Sequence, residues 1–138
     1  MTDQTIDILS FDAVSDAEAG FDLALKNPDG SDTGIVLRII GSHSDAVVRW
    51  AQRIGNQVMR EQVMAAKRGK PVDPRPLEEL REQNIEGAAI RVVGWSGVKQ
   101  EFSADLMRQA LRRNPHWVDQ IVRESDDLGN FTGKRSAK

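Results

Sequence analysis

The sequence predicts a mainly helical α+β fold, with a small N-terminal β-hairpin and a compact body of about four helices. Three observations lead there. "FDLALK" alternates apolar and polar residues, "SHSDAVVRWAQRIGNQVMREQVMAAKRGK" carries an apolar stripe at helical spacing, and three prolines crowd positions 71–76.

The first 20 residues are acidic and weakly periodic, and predict a flexible arm with a short ordered piece over 6–11. In the next segment Phe21, Leu23 and Leu25 alternate with Asp22, Ala24 and Lys26, which gives a strand with one buried face. "NPDG" places Pro28 and Gly30 at the second and fourth positions of a type I turn. Ile35, Val36, Leu37, Ile39 and Ile40 form the returning strand. A hairpin alone is marginal in water, so it must pack on helices or pair with another chain's strand.

A long helix follows, capped by Ser42 or Ser44, with Asp45 at its positive end and Lys67, Arg68 and Lys70 at the other. Val47, Ala51, Ile54, Val58 and Ala65 make its expected buried stripe. The hairpin and this helix are read as one part, 21–70. Prolines over 71–76 then forbid helix and mark a linker. A helical part is expected over 77–128. Its first helix has an imperfect stripe of Leu77, Leu80, Ala88 and Val92, widened by Ile85, Ala89 and Val93, ends at Gly94, and is followed by Trp95 folding back on the core. Ser103 caps a short helix bearing Leu106, Met107, Ala110 and Leu111. Asn114 and Pro115 restart the chain as cap and first turn of a last helix, which offers Trp117, Val118, Ile121 and Val122. Gly129 stops it, and 129–138 is a polar tail with Phe131 as its apolar anchor.

Composition narrows the function. The chain has 138 residues, 39% hydrophobic and 29% charged, enough for one modest core. With no cysteine, disulfides and thiolate metal sites are excluded. No stretch suits a bilayer span, and the N-terminus is not expected to be a secretory signal. Residues 1–33 hold eight acids against Lys26, whereas the remainder holds 18 bases and 13 acids. An acidic arm therefore precedes a mildly basic body, and it is read either as solvated or as touching the basic surface of its own or a neighbouring subunit.

Chemical motifs are sparse. "SHSD" gathers Ser, His43 and Asp in sequence, but capping explains it better than a catalytic triad does. Two isolated histidines, His43 and His116, do not make a zinc site. "ESDDLGN" lacks the alternating ligands of a calcium loop. Asp119, Glu124, Asp126 and Asp127 would repel phosphates from the last helix, which disfavours nucleic-acid binding. No cofactor, metal or catalytic residue is expected. Trp95, Phe102, Leu106, Leu111, Trp117, Ile121 and Phe131 are the candidates for core or protein interaction.

The order of features over 21–131 resembles the tail assembly chaperones of long-tailed bacteriophages. The resemblance is carried by "FDLALKNPDGSDTGI", "GSHSDAVVRWAQ", "AAIRVVGWSGV", "EFSADLMRQALRRNPHWVDQIV" and the closing "GNF". It implies a non-catalytic protein that binds the tape measure protein, promotes polymerisation of tail tube protein and self-associates. It implies action in the cytoplasm of the infected bacterium and absence from the mature virion. The alternatives are a structural virion component, such as a connector or tail-completion protein, and a nucleic-acid-binding regulator.

Overall fold

A computed structural model describes residues 5–131. After a 3-10 turn at Ile8–Ser10, the elements are α1 (Ala13–Ala19), β1 (Phe21–Lys26), β2 (Asp32–Ile39), α2 (Asp45–Arg68), α3 (Leu77–Ile90), β3 (Val92–Ser96), α4 (Ala104–Arg113) and α5 (His116–Asp126). The chain is mixed α+β, as expected, but its sheet has three antiparallel strands in the order β1-β2-β3 rather than a lone hairpin.

The hairpin forms where alternation placed it, with Leu23 opposite Leu37 and Phe21 opposite Ile39. Asn27 closes the turn by accepting from the Gly30 amide and donating to the Ser31 carbonyl. Leu23, Leu25, Leu37 and Ile39 point into one apolar layer with Ile85, Ala88, Ala89, Met107, Leu111 and Ile121 from α3, α4 and α5. The opposite face keeps Asp22 and Ala24 exposed, so the sheet is covered on one side only. The free edge of β1 is closed by Gln120 of α5, whose amide accepts from the Lys26 N–H at 2.9 Å and donates to its carbonyl at 3.0 Å. A side chain thus replaces a strand at that edge.

The main correction concerns "VVGWS". It was expected to end a helix; it is strand β3, with Leu37 opposite Trp95 and Val92 opposite Ile39. Helix α3 stops at Ile90 because β2 has a second edge to satisfy, and the β-branched pair Val92–Val93 suits it. The predicted α3 stripe fails at its start: Leu77 and Leu80 are exposed, and the buried residues are Ile85, Gly87, Ala88 and Ala89.

The arm expected over 1–20 divides in two. Residues 13–19 are helix α1, with Asp12 accepting from the Ser15 amide, and Ala17 is fully buried against Gly41. Residues 5–12 carry the 3-10 turn and bury nothing. The expected cap of α2 also changes. Ser44 makes no side-chain cap bond; its hydroxyl donates to the Gly41 carbonyl, and Glu18 of α1 accepts from the Asp45 amide at 2.8 Å. Of the expected α2 stripe only Val47 and Ala65 are buried, Ile54 is half-buried, and Ala51 and Val58 are exposed. A 24-residue helix so thinly packed is held by few apolar contacts.

Helix α4 is capped by the Ser103 hydroxyl, as expected. Asn114 serves the end of α4 instead of capping α5, since its side-chain amide donates to the Ala110 carbonyl. Helix α5 ends at Asp126, before Gly129, and Phe131 is buried beside Phe21. The expected polar tail lies outside the described residues from position 132 onward.

The contrast between Leu37 and Leu77 is a direct check of this packing. Leu37→Ala should cost about 2–5 kcal/mol in a denaturant titration, and Leu77→Ala should stay within about 0.5 kcal/mol of the parent.

Candidate functional site

Trp95 is the seed of an apolar cleft between the sheet, the β3–α4 loop and helices α4 and α5. Its indole N–H donates to the Gln100 carbonyl at 2.9 Å, which folds the loop over the end of β3. Phe102 sits edge-on to it at 5.0 Å between ring centroids. Gly97, with a positive φ, crosses against the Gly34 carbonyl where a Cβ would collide. The tryptophan and that glycine together fix the loop.

The cleft has a volume of about 360 Å³. Leu25, Ile35 and Leu37 form its floor, and Trp95, Val98, Leu106, Ala110 and Trp117 form its walls. Arg113 and Gln109 give it a polar rim. Trp117 is half-buried, and its indole nitrogen is buried with no acceptor among the described residues. An unpaired indole N–H leaves that wall polar and incompletely satisfied.

The seven predicted residues therefore separate. Trp95, Leu106 and Trp117 line the cleft, and Phe102 buttresses Trp95. Leu111 and Ile121 are fully buried beneath it, and Phe131 belongs to the core near Phe21, away from the cleft. Trp95 and Trp117 pack against one apolar layer, which β3 reaches as a strand.

A second apolar surface was not among the predicted residues. Helix α2 leaves Val48, Met59 and Val63 exposed on its outer side. Successive residues turn by about 100°, so Val48, Gly55 and Met59 fall on a face different from the one Val47, Ile54 and Ala65 turn inward. Arg49, Arg53, Arg60 and Lys67 form a third, basic face. Met59 and Val63 lay outside the predicted stripe, and that mismatch was the signal for a second face.

Polar residues singled out in the sequence do not converge. In "SHSD", His43 is exposed, Ser44 is buried on the Gly41 carbonyl, and Asp45 pairs with Arg49 at 2.9 Å. In "ESDD", Ser125 and Asp126 both engage Arg91, and Glu124 accepts from Asn130. Among the described residues there is no group of three or more His, Cys, Asp or Glu able to hold a metal ion. Among the same residues, no helix is long and apolar enough to cross a membrane.

On the side of α4 that faces α3, Arg112 holds the Glu82 carboxylate through both oxygens at 2.9–3.1 Å and so ties the two helices. These bonds push the Glu82 carboxyl below its ordinary value and raise the Arg112 guanidinium. No family model matches the sequence, and no curated protein or solved structure matches the chain.

Because the Glu82 carboxyl is lowered in the folded state, its contribution is present above the ordinary glutamate value and is lost as pH falls through the lowered one. Carbon-detected NMR should place the Glu82 midpoint below that of a free glutamate, and Arg112→Gln should return it to the ordinary range.

Proposed function

We propose that this protein is a non-catalytic chaperone for a helical partner, acting in phage tail assembly: it holds the tape measure protein in solution and promotes polymerisation of the tube around it. The observation that carries this reading is the tryptophan-lined cleft. It is apolar at its floor, edged by Arg113 and Gln109, and open beside a half-buried Trp117. Such a groove takes the apolar side chains of an amphipathic helix at i, i+3 and i+4 spacing. The second apolar face, on α2, supports the same reading, because it extends the surface available to a long partner. The resemblance over 21–131 supplies the identity of that partner. The proposed place of action is the cytoplasm of the infected host.

Co-expression with the tape measure protein of the same phage tests the proposal. The tape measure protein should remain soluble and co-purify with this chain. Leu106→Asp and Val98→Asp alter the cleft at side chains that are only partly buried, and they should abolish co-purification while circular dichroism stays unchanged. A tape measure protein that precipitates equally with and without the chain contradicts the proposal. So does stoichiometric recovery of the chain from purified virions by mass spectrometry, which would favour a structural component.

A further inference from the structure

The segment before α1 is a ligand without a site. Ile8 and Leu9 are 81% and 85% exposed, and Ile6 and Phe11 are also open to solvent. Asp7 and Asp12 sit among them, each spending one carboxylate oxygen on a local amide, Asp7 on Leu9 and Asp12 on Ser15. An apolar, acidic strip that buries nothing on its own body is costly to keep in water.

At the far end of α2 lies a surface of the opposite kind. A groove runs between the last turns of α2, the proline segment and the first turn of α3. Its apolar lining includes Met64, 49% exposed, and Val72, 44% exposed, together with Pro71 and Pro74. Its acids Glu61 and Glu79 are both held by Arg75, at 3.2 and 3.7 Å. That leaves Arg60, Arg68 and Lys70 against Asp73. None of those three bases has an ion-pair partner among the described residues, so the groove sets an apolar patch of Met64, Val72 and prolines beside unpaired bases.

We propose that the N-terminal strip of one copy, residues 6–12, docks in the α2–proline groove of a second copy. Leu9 and Phe11 would cover Met64 and Val72, and Asp7 and Asp12 would face Arg60, Arg68 and Lys70. Charge complementarity selects this occupant: the acids concentrated before residue 33 meet bases concentrated after it.

Reach selects a second copy over the chain's own groove. The root of the strip is fixed at the near end of α2, where Glu18 accepts from the Asp45 amide. Along the helix axis Met64 lies about 28 Å from Asp45. From Glu18 back to Ile8 the chain spans at most about 22 Å, through the rise of α1, extended backbone and the 3-10 turn. A strip with α1 intact approaches its own groove only when laid straight along α2, whereas another copy meets no such limit. Strip into groove is a heterologous contact, so copies add head to tail. The contact does not depend on the identity of any helical partner.

Sedimentation velocity on the full chain tests this through complementation. The parent should associate with rising concentration, and less so at high salt, since screening shortens from about 10 Å at 0.1 M to about 3 Å at 1 M. Leu9→Asp removes the ligand, and Arg60→Glu with Lys70→Glu reverses the rim; each variant should associate at least roughly tenfold more weakly than the parent. All three positions are exposed, so folding should be unaffected. Mixing the two variants should restore a dimer, because one still has an intact strip and the other an intact groove. A monomeric parent at every concentration overturns the proposal, and so does a mixture no more associated than its components. Association of the Leu9→Asp variant equal to the parent's also overturns it.

Discussion

Arg91 is the joint on which the rest of the fold turns. It closes α3 and opens β3, and its guanidinium is buried. It donates to the Gly87 carbonyl at 2.7 Å and to the Ser125 hydroxyl at 3.1 Å, faces Asp126 at 3.8 Å, and lies over the Trp50 ring of α2 at 5.8 Å. Ser125 passes the connection on by donating to the Ile40 carbonyl, and the Arg91 carbonyl accepts from the Ile40 amide. Burial lowers the guanidinium from its ordinary value, and Asp126 opposes that shift. A buried cation is tolerated only when its donors are used, and here they are used on α3 and α5 while the Trp50 ring of α2 covers the guanidinium. The same corner leaves no room for a side chain at Gly87, where a Cβ would meet the Trp50 ring at 2.6 Å.

From that joint the two exposed apolar surfaces follow. Turning the chain sharply at Arg91 sends Val92–Ser96 back along β2 and delivers Trp95 to the cleft. Holding Trp50 against Gly87 docks the first half of α2, but little holds the second half. The apolar core is one layer thick, with the sheet covered on one side, so there is no second layer to bury the outer face of α2. Exposed Met59, Val63 and Met64 result from that geometry, and they become useful only if something else covers them.

Much of this was legible in the sequence where the cause is local. The alternation of "FDLALK", the "NPDG" turn, the Ser103 cap and the proline break each depend on residues a few positions apart, and each forms as expected. Leu111, Ile121 and Phe131 were legible as apolar anchors, but the sequence did not separate them from the cleft residues Trp95, Leu106 and Trp117, because burial depth is a property of packing. Strand β3 was not legible as such: "AAIRVV" satisfies helical and strand spacing alike, and the free edge of β2, more than 50 positions earlier, decides between them. The Glu18 cap of α2 and the Gln120 closure of β1 act across 27 and 94 positions, beyond any local pattern.

Taken together, the molecule is a small core with more apolar surface than it can cover, rigid at the Arg91 joint and open at the cleft and along α2. Hydrogen–deuterium exchange with and without the proposed partner, the tape measure protein, tests that view most directly. Amides in the β3–α4 loop and along α2 should slow in the complex, while those of β1 and β2, already paired in the core, should not change. Uniform exchange in both states, or protection confined to the sheet, would contradict it.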